Sequence, residues 1–235
     1  MVRFSILERK GLSFAGVFRK EDLYPEYGKN LGFCVERVIN EKLQEVNIYP
    51  RDVIKLKQEH TDTVVIIDSL YKSYKQIYSQ IPADGMITNL PGLALVITVA
   101  DCVPVFLFDV KRKVLGLIHA GREGTRRKIV LIALKRFFTD FHSSPEDIHV
   151  LIGPSIGPCC YEVSGEVAKL CAEEGLIVGD SNKVDLWASN ISQAVGMKVP
   201  STNVILTGEC TFCSDKYYSY RKGDEYARNL VIGMI

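Results

Sequence analysis

Two of the four histidines in this sequence, His60 and His119, close stretches patterned as strands and run straight into turn-like residues. Cys102 heads a third such stretch, in ADCVPVFLFD at 100 to 109. Sheets bring strand ends to a common edge, where loops build sites. Two imidazoles and one thiolate gathered there form a borderline-soft donor set suited to Zn2+. Three protein ligands leave the fourth tetrahedral position for water or substrate, the arrangement of a catalytic rather than a structural zinc. Spacing alone does not enforce this reading, because the donors are not paired as CxxC or HxxxH. Each histidine taken singly reads as a partly exposed polar residue. The same three side chains also suit a metal-free cysteine hydrolase, with Cys102 as nucleophile and His119 or His60 as its base.

Neighbouring residues have supporting roles open to them. Asp101 is placed either to accept a hydrogen bond from a ligand histidine or to cap its turn. Asp84, in ADG, reads as a turn residue. Gly121 and Gly124 allow backbone to approach the site closely or begin a helix. Cys159 and Cys160 are adjacent in a turn-like GPCCYE segment and read as packing or turn residues. Cys210 and Cys213 form a CxxC, but no second CxxC completes a zinc knuckle, so the pair reads as incidental.

The elements that must position these residues follow from periodicity. NEKLQEV (40–46) has helical spacing, and VIKLKQEH (53–60) alternates like a half-buried strand ending at His60. TVVIID (63–68) is a β-branched strand. LALVITVA (93–100), PVFLFD (104–109) and VLGLIHA (114–120) are strongly apolar with little alternation, as strands covered on both faces are. Residues 124–141 carry apolar side chains at helical intervals after a Gly-Thr start, predicting one helix. HVLIG is expected as a strand and GEVAKLCAEEG as a helix. VDLWASNISQAVGM is a second helix with Asp185 as N-cap, and NVILTG is a last strand before a polar, Tyr-rich tail. Strand clusters interrupted by helices give an α+β or α/β fold, one layered domain over residues 1–235 with a mixed central sheet flanked by helices. No GxGxxG or Walker loop is present.

Composition narrows the function further. Lys+Arg 29 against Asp+Glu 28 leaves a formal charge of +1, which is no footprint for nucleic acid or anionic membrane. The N-terminus breaks its apolar runs with charge, and no stretch nears the roughly 18 apolar residues needed to span a bilayer. A cytoplasmic protein is expected. There the seven cysteines serve packing, metal or catalysis rather than a disulfide scaffold.

Several blocks occur in a specific order: NLG (30–32), QEHTDTV (58–64), ADGMIT (83–88), ADCVPVFLFD (100–109), IHAGREGT (118–125), GPSIGPCCYEV (153–163), DLWASN (185–190), ECT (209–211) and YYSYRKGD (217–224). Through them the chain resembles the laccase-domain family, long labelled polyphenol oxidases and later reassigned as zinc-dependent purine nucleoside phosphorylases. The resemblance implies that His60, Cys102 and His119 are the zinc ligands and catalytic centre. It also implies phosphorolysis of adenosine, inosine and methylthioadenosine with inorganic phosphate, and deamination of adenosine. Such an enzyme is both a glycosyltransferase and a hydrolase. Zinc acidifies its bound water to a pKa of about 7, which suits deamination.

Arg19 and Arg221 align with family arginines and, with Asn30, are expected to hold phosphate or ribose; surface arginines are the plainer reading. Copper is not expected, because oxidase centres need many more imidazoles than four histidines supply. The chain departs from the family's H-A-G-W-R-G, with Arg122 at the tryptophan position and Glu123 at the arginine position. A non-catalytic zinc-binding protein would fit that departure. Arg122 or Arg126 is left to replace the missing cation.

Overall fold

A computed structural model describes residues 1–23 and 35–235. Its strands are β1 (Val2–Arg3), β2 (Phe14–Phe18), β3 (Asp52–Lys55), β4 (Val64–Ile66), β5 (Gly85–Thr88), β6 (Leu93–Val99) and β7 (Val103–Asp109). They continue with β8 (Val114–Ala120), β9 (Ile148–Ile152), β10 (Ile177–Val178), β11 (Val184–Asp185), β12 (Val204–Leu206) and β13 (Asn229–Met234). The helices are α1 (Ser5–Glu8), α2 (Val35–Glu45), α3 (Tyr71–Tyr78), α4 (Arg122–Arg126), α5 (Ile129–Asp140), α6 (Gly165–Glu173) and α7 (Leu186–Gly196).

Mixed sheets flanked by helices are what the strand and helix patterns imply, with the strands divided between two sheets. One has the order β1-β2-β13-β6-β3, parallel only between β3 and β6; the other runs β12-β9-β7-β8-β5-β4, parallel at both ends. The sheets pack face to face through Leu95, Ile97 and Val231 on one side and Phe106, Leu115 and Leu117 on the other. The outer face of the first sheet is covered by Val38, Ile39 and Leu43 of α2. That of the second is covered by Ile129, Ala133 and Phe137 of α5 and by Leu186 and Ala194 of α7. The result is an α/β/β/α stack. It explains the unbroken apolar runs: β7 and β8 are buried along their whole length, because neither face meets water.

Four details differ from the sequence pattern. The strand expected to end at His60 ends at Lys55, because Gln58 lays its side chain along β6 in place of the main chain. Its amide donates to the Thr98 carbonyl at 2.8 Å, and its carbonyl accepts the Thr98 N–H at 2.8 Å. The helix expected over 124–141 breaks at Lys128, which is left-handed at φ 64°. Gln193 of α7 serves the groups freed there, donating to the Thr125 carbonyl and accepting from the Leu131 N–H. The Tyr-rich tail continues into β13, a central strand paired on both edges. FAGVF near the N-terminus is β2, its neighbour. The Asp185 cap is as expected, its carboxylate accepting the Ala188 N–H at 2.8 Å. Asn30 and the NLG block lie outside the described residues.

Candidate metal centre

His60, Cys102 and His119 converge at one end of the second sheet. Each offers a donor atom, and these atoms lie within 4.8 Å of one another. Cys102 immediately precedes β7, and His119 is the penultimate residue of β8, opposite Pro104. His60 comes from the loop that carries the chain from β3 in one sheet to β4 in the other. The His60 Nε2 to Cys102 Sγ distance is 3.7 Å, and the two imidazole centroids are 5.0 Å apart. Tetrahedral zinc with ordinary Zn–S and Zn–N bonds spaces a sulfur and a nitrogen by about 3.6 Å. The donor set and its spacing therefore fit a zinc-type cation.

Asp84 is the residue that aims these ligands. Its Oδ1 is 2.7 Å from His119 Nδ1, leaving Nε2 as the ring nitrogen available to a metal. Its Oδ2 accepts from the Thr61 N–H at 2.6 Å, the Thr61 hydroxyl at 2.9 Å and the Glu59 N–H at 3.3 Å, fixing the loop on either side of His60. His60 itself sits at φ 58°, a left-handed conformation that costs a non-glycine residue on the order of 1 kcal/mol and needs such anchoring. The role offered to Asp101 thus belongs to Asp84. Asp101, left-handed at φ 82°, accepts instead from the Thr211 hydroxyl at 2.6 Å and the Arg221 N–H at 2.8 Å. It ties two later loops to the turn that presents Cys102. Gly121 provides space: a Cβ there would lie 3.0 Å from both Cys102 Sγ and His60 Cδ2.

The three donors polarise one another. Burial raises the Cys102 thiol, but the charges and hydrogen bonds of His119 and His60 prevail and hold it at about 6. Burial also works against a charged His119, yet the Cys102 charge and the Asp84 hydrogen bond lift it to about 9. His60 is raised chiefly by its hydrogen bond to Cys102. Asp84, which burial would raise, is drawn down to about 2 by His119 and Thr61. The Cys102 and His119 shifts both favour a thiolate beside an imidazolium at neutral pH when no metal is bound.

A cavity of about 710 Å³ opens onto the triad, within the range of small-molecule sites. Its walls include Gln58, Tyr161, Tyr220 and three arginines, Arg122, Arg221 and Arg228. Arg221 lies over the Tyr161 ring at 5.4 Å and donates to the Glu162 carbonyl at 2.9 Å. Arg19 does not line the cavity; it pairs with Glu21 and Asp22. Of the two cations left to compensate for Glu123, Arg122 lines the cavity, whereas Arg126 does not and pairs with Glu123 and Glu174. Glu123 also lines the wall. Burial works to raise its carboxyl, but the hydrogen bonds and charges of Arg126 and Arg122 prevail and hold it below the usual carboxylate range.

Gln58 and Asp84 are the positioning residues that pattern reasoning missed or undervalued; their signal was adjacency, in Q-x-H and in ADG at the head of a strand. The four cysteines read as packing and incidental also come together, Cys159 and Cys160 meeting Cys210 and Cys213. The remaining histidines stay apart from the triad: His142 follows α5, and His149 lies within β9.

Known proteins place this architecture. The structure of YlmD from Geobacillus stearothermophilus superposes with a TM-score of 0.79 at 26% identity, covering 94% of this chain and 91% of that one. A Bacteroides thetaiotaomicron protein named purine nucleoside phosphorylase is 33% identical over 186 residues, 74% of this chain and 69% of that protein. A protein from an unidentified prokaryote, named adenosine deaminase RL5, is 26% identical over 184 residues, 73% of this chain and 70% of its own. The family model described as multi-copper polyphenol oxidoreductase laccase matches residues 29–235. That span contains all three triad residues, the whole of the second sheet and three of the five strands of the first, and the chain belongs to this laccase-domain family.

Proposed function

We propose that the protein is a zinc-dependent purine nucleoside phosphorylase acting on adenosine, inosine and methylthioadenosine, with adenosine deaminase activity. The observation that carries this reading is the convergence of His60, Cys102 and His119 on a nucleoside-sized cavity that also holds Arg122, Arg221 and Arg228. The relatives' names support the substrate class. His60, Cys102 and His119 hold the cation, which when bound supplies Lewis-acid activation of water at neutral pH. Four histidines suit one such ion and not a multi-copper centre.

The chain's own residues do the rest. Asp84 holds the proton on His119 Nδ1 and fixes the ring's aim. Arg221, whose backbone is tied to Asp101, is set to take an oxyanion of phosphate in a bidentate grip. Arg122 and Arg228 add positive potential, and Tyr161 and Tyr220 offer flat faces to a purine. Phosphorolysis joins a phosphate oxygen to C1′ as the C1′–N9 bond breaks, so phosphate and ribose must lie together beside these arginines. We place the enzyme in the cytoplasm, where a thiol ligand stays reduced.

The test is incubation with adenosine, inosine or methylthioadenosine, with and without phosphate, following free base and inosine by chromatography. Phosphate-dependent base release is expected, lost in folded Cys102→Ala and His119→Ala variants, while Arg221→Ala raises KM for phosphate. Full activity in the first two variants overturns the site, and an unchanged KM removes Arg221. A second reading has its own support: Cys102, His119 and Asp84 stand in the order of a cysteine hydrolase's nucleophile, base and orienting acid, with the thiol already near 6. Activity without stoichiometric zinc, abolished by alkylation alone, would select it.

A further inference from the structure

A second cluster of metal-type donors lies outside this centre. The loop after β9 carries Cys159 and Cys160, and the loop after β12 carries Cys210 and Cys213. These segments are about fifty residues apart in sequence, yet their four sulfurs lie within 4.8 Å of one another. Cys213 Sγ is 3.7 Å from Cys159 Sγ and 3.2 Å from Cys160 Sγ. Four thiolates on one tetrahedral zinc, each at about 2.3 Å, stand about 3.8 Å apart. A four-iron cluster, whose cysteines bind separate irons, would hold the sulfurs wider. The Gly157 N–H points to Cys210 Sγ at 3.3 Å, the kind of donor that steadies a metal-bound thiolate.

We propose that Cys159, Cys160, Cys210 and Cys213 form a closed, structural tetrathiolate site for one Zn2+ ion. The four thiols release their protons to solvent on binding. No coordination position is left for substrate, so the site fastens rather than reacts.

What it fastens matters to the catalytic centre. The two loops already meet at a bridge between Ser155 and Cys210, with the Thr211 N–H donating to the Ser155 carbonyl at 3.0 Å. Thr211, next to Cys210, donates its hydroxyl to Asp101, and Asp101 precedes Cys102. On the other loop, Ile156 and Tyr161 line the cavity. Zinc in this cluster therefore clamps one cavity wall to the turn that presents Cys102. A disulfide would join only two of four sulfurs that sit as a single group, and a reducing compartment disfavours it.

The experiment is zinc and thiol analysis of the full chain purified under reducing, chelator-free conditions. Two zinc ions per chain are expected. A His60→Ala/Cys102→Ala variant should keep one, and a Cys159→Ser/Cys213→Ser variant should keep the other while melting at lower temperature. Cobalt added to the metal-free His60→Ala/Cys102→Ala variant should give the intense visible and thiolate charge-transfer bands of a tetrahedral tetrathiolate site. That arm reads the cluster directly even where the cysteine variants do not fold. The proposal is overturned if this variant binds no zinc and cobalt gives no such spectrum. It is also overturned if the denatured, metal-free chain shows fewer than its seven cysteines as reactive thiols. Because the triad is absent from the variant that decides, failure of the tetrathiolate site and failure of the proposed function separate cleanly.

Discussion

Replacing Asp84 with asparagine tests the site's construction most directly, because one carboxylate serves two ligands. Asp84 accepts from His119 Nδ1 with one oxygen and from Thr61 and Glu59 with the other. An asparagine carbonyl kept toward His119 leaves an amide NH2 facing two backbone N–H groups, donor against donor. The flipped amide donates to Nδ1 and drives the ring proton to Nε2, the nitrogen the metal needs. Either orientation harms the centre, so zinc affinity should fall 10- to 100-fold, the range for such outer contacts.

The same substitution has a stability signature. In the folded protein Asp84 sits at about 2, below its ordinary 3.8, which corresponds to about 2 kcal/mol. A depressed carboxylate stabilises the fold fully above the unfolded pKa and loses that contribution as pH falls toward the folded one. The metal-free wild type should therefore exceed Asp84→Asn by about 2 kcal/mol at neutral pH, with the gap closing between about pH 4 and pH 2. Chelator competition measures the zinc affinity, and urea unfolding across pH measures the stability. A folded Asp84→Asn protein whose zinc affinity stays within about twofold of wild type would refute the reasoning.

Two further outcomes follow from the same geometry. Gly121→Ala places a methyl 3.0 Å from Cys102 Sγ and His60 Cδ2; zinc affinity should drop on the order of tenfold with little change in melting, and unchanged affinity would show that the ligands do not need that space. Zinc must displace the His119 proton held up to about pH 9, so log affinity should climb about one unit per pH unit on approaching 9 and more steeply toward and below about pH 6, where His60 and then Cys102 are also protonated. Affinities flat across that window by chelator competition would contradict the thiolate–imidazolium pair.

The triad was legible because its members stand where patterned strands begin and end. β7 and β8 are true to their apolar runs, and Cys102 and His119 fall at matching ends because the two strands pair in antiparallel register. His60 was found through its motif and not its element, since side-chain bonding by Gln58 replaces the strand that periodicity expects. Asp84 was undervalued for a physical reason. Its importance depends on facing β8 across the sheet, where the His119 N–H donates to its carbonyl at 2.7 Å, and pairing between distant strands leaves no local trace. β13 was hidden because polar Tyr-rich sequence precedes it, and two sheets look like one when central strands such as β7 and β8 are apolar on both faces. The cysteine pairs were underread because their meeting depends on two loops that follow parallel strands, β9 and β12, to the same sheet end.

The position of the centre links its affinity to the packing of the sheets. His60 lies where the chain leaves the first sheet after β3, and Cys102 where it leaves that sheet again after β6; His119 belongs wholly to the second. A slide of one sheet over the other would pull on the two crossovers that carry His60 and Cys102 and so strain their placement beside His119. The interface resists such motion because Gly233 lets the sheets close, a Cβ there meeting Leu115 and Phe106 at 3.1 Å. Both crossovers are also pinned, one by Gln58 on Thr98 and the other by Asp101 on Thr211 and Arg221. A cation that binds only the assembled centre stabilises the whole stack, by about 2.7 kcal/mol when free metal is a hundredfold above its Kd. Zinc removal should thus loosen the crossovers that join the two sheets, since His60 and Cys102 stand in those turns.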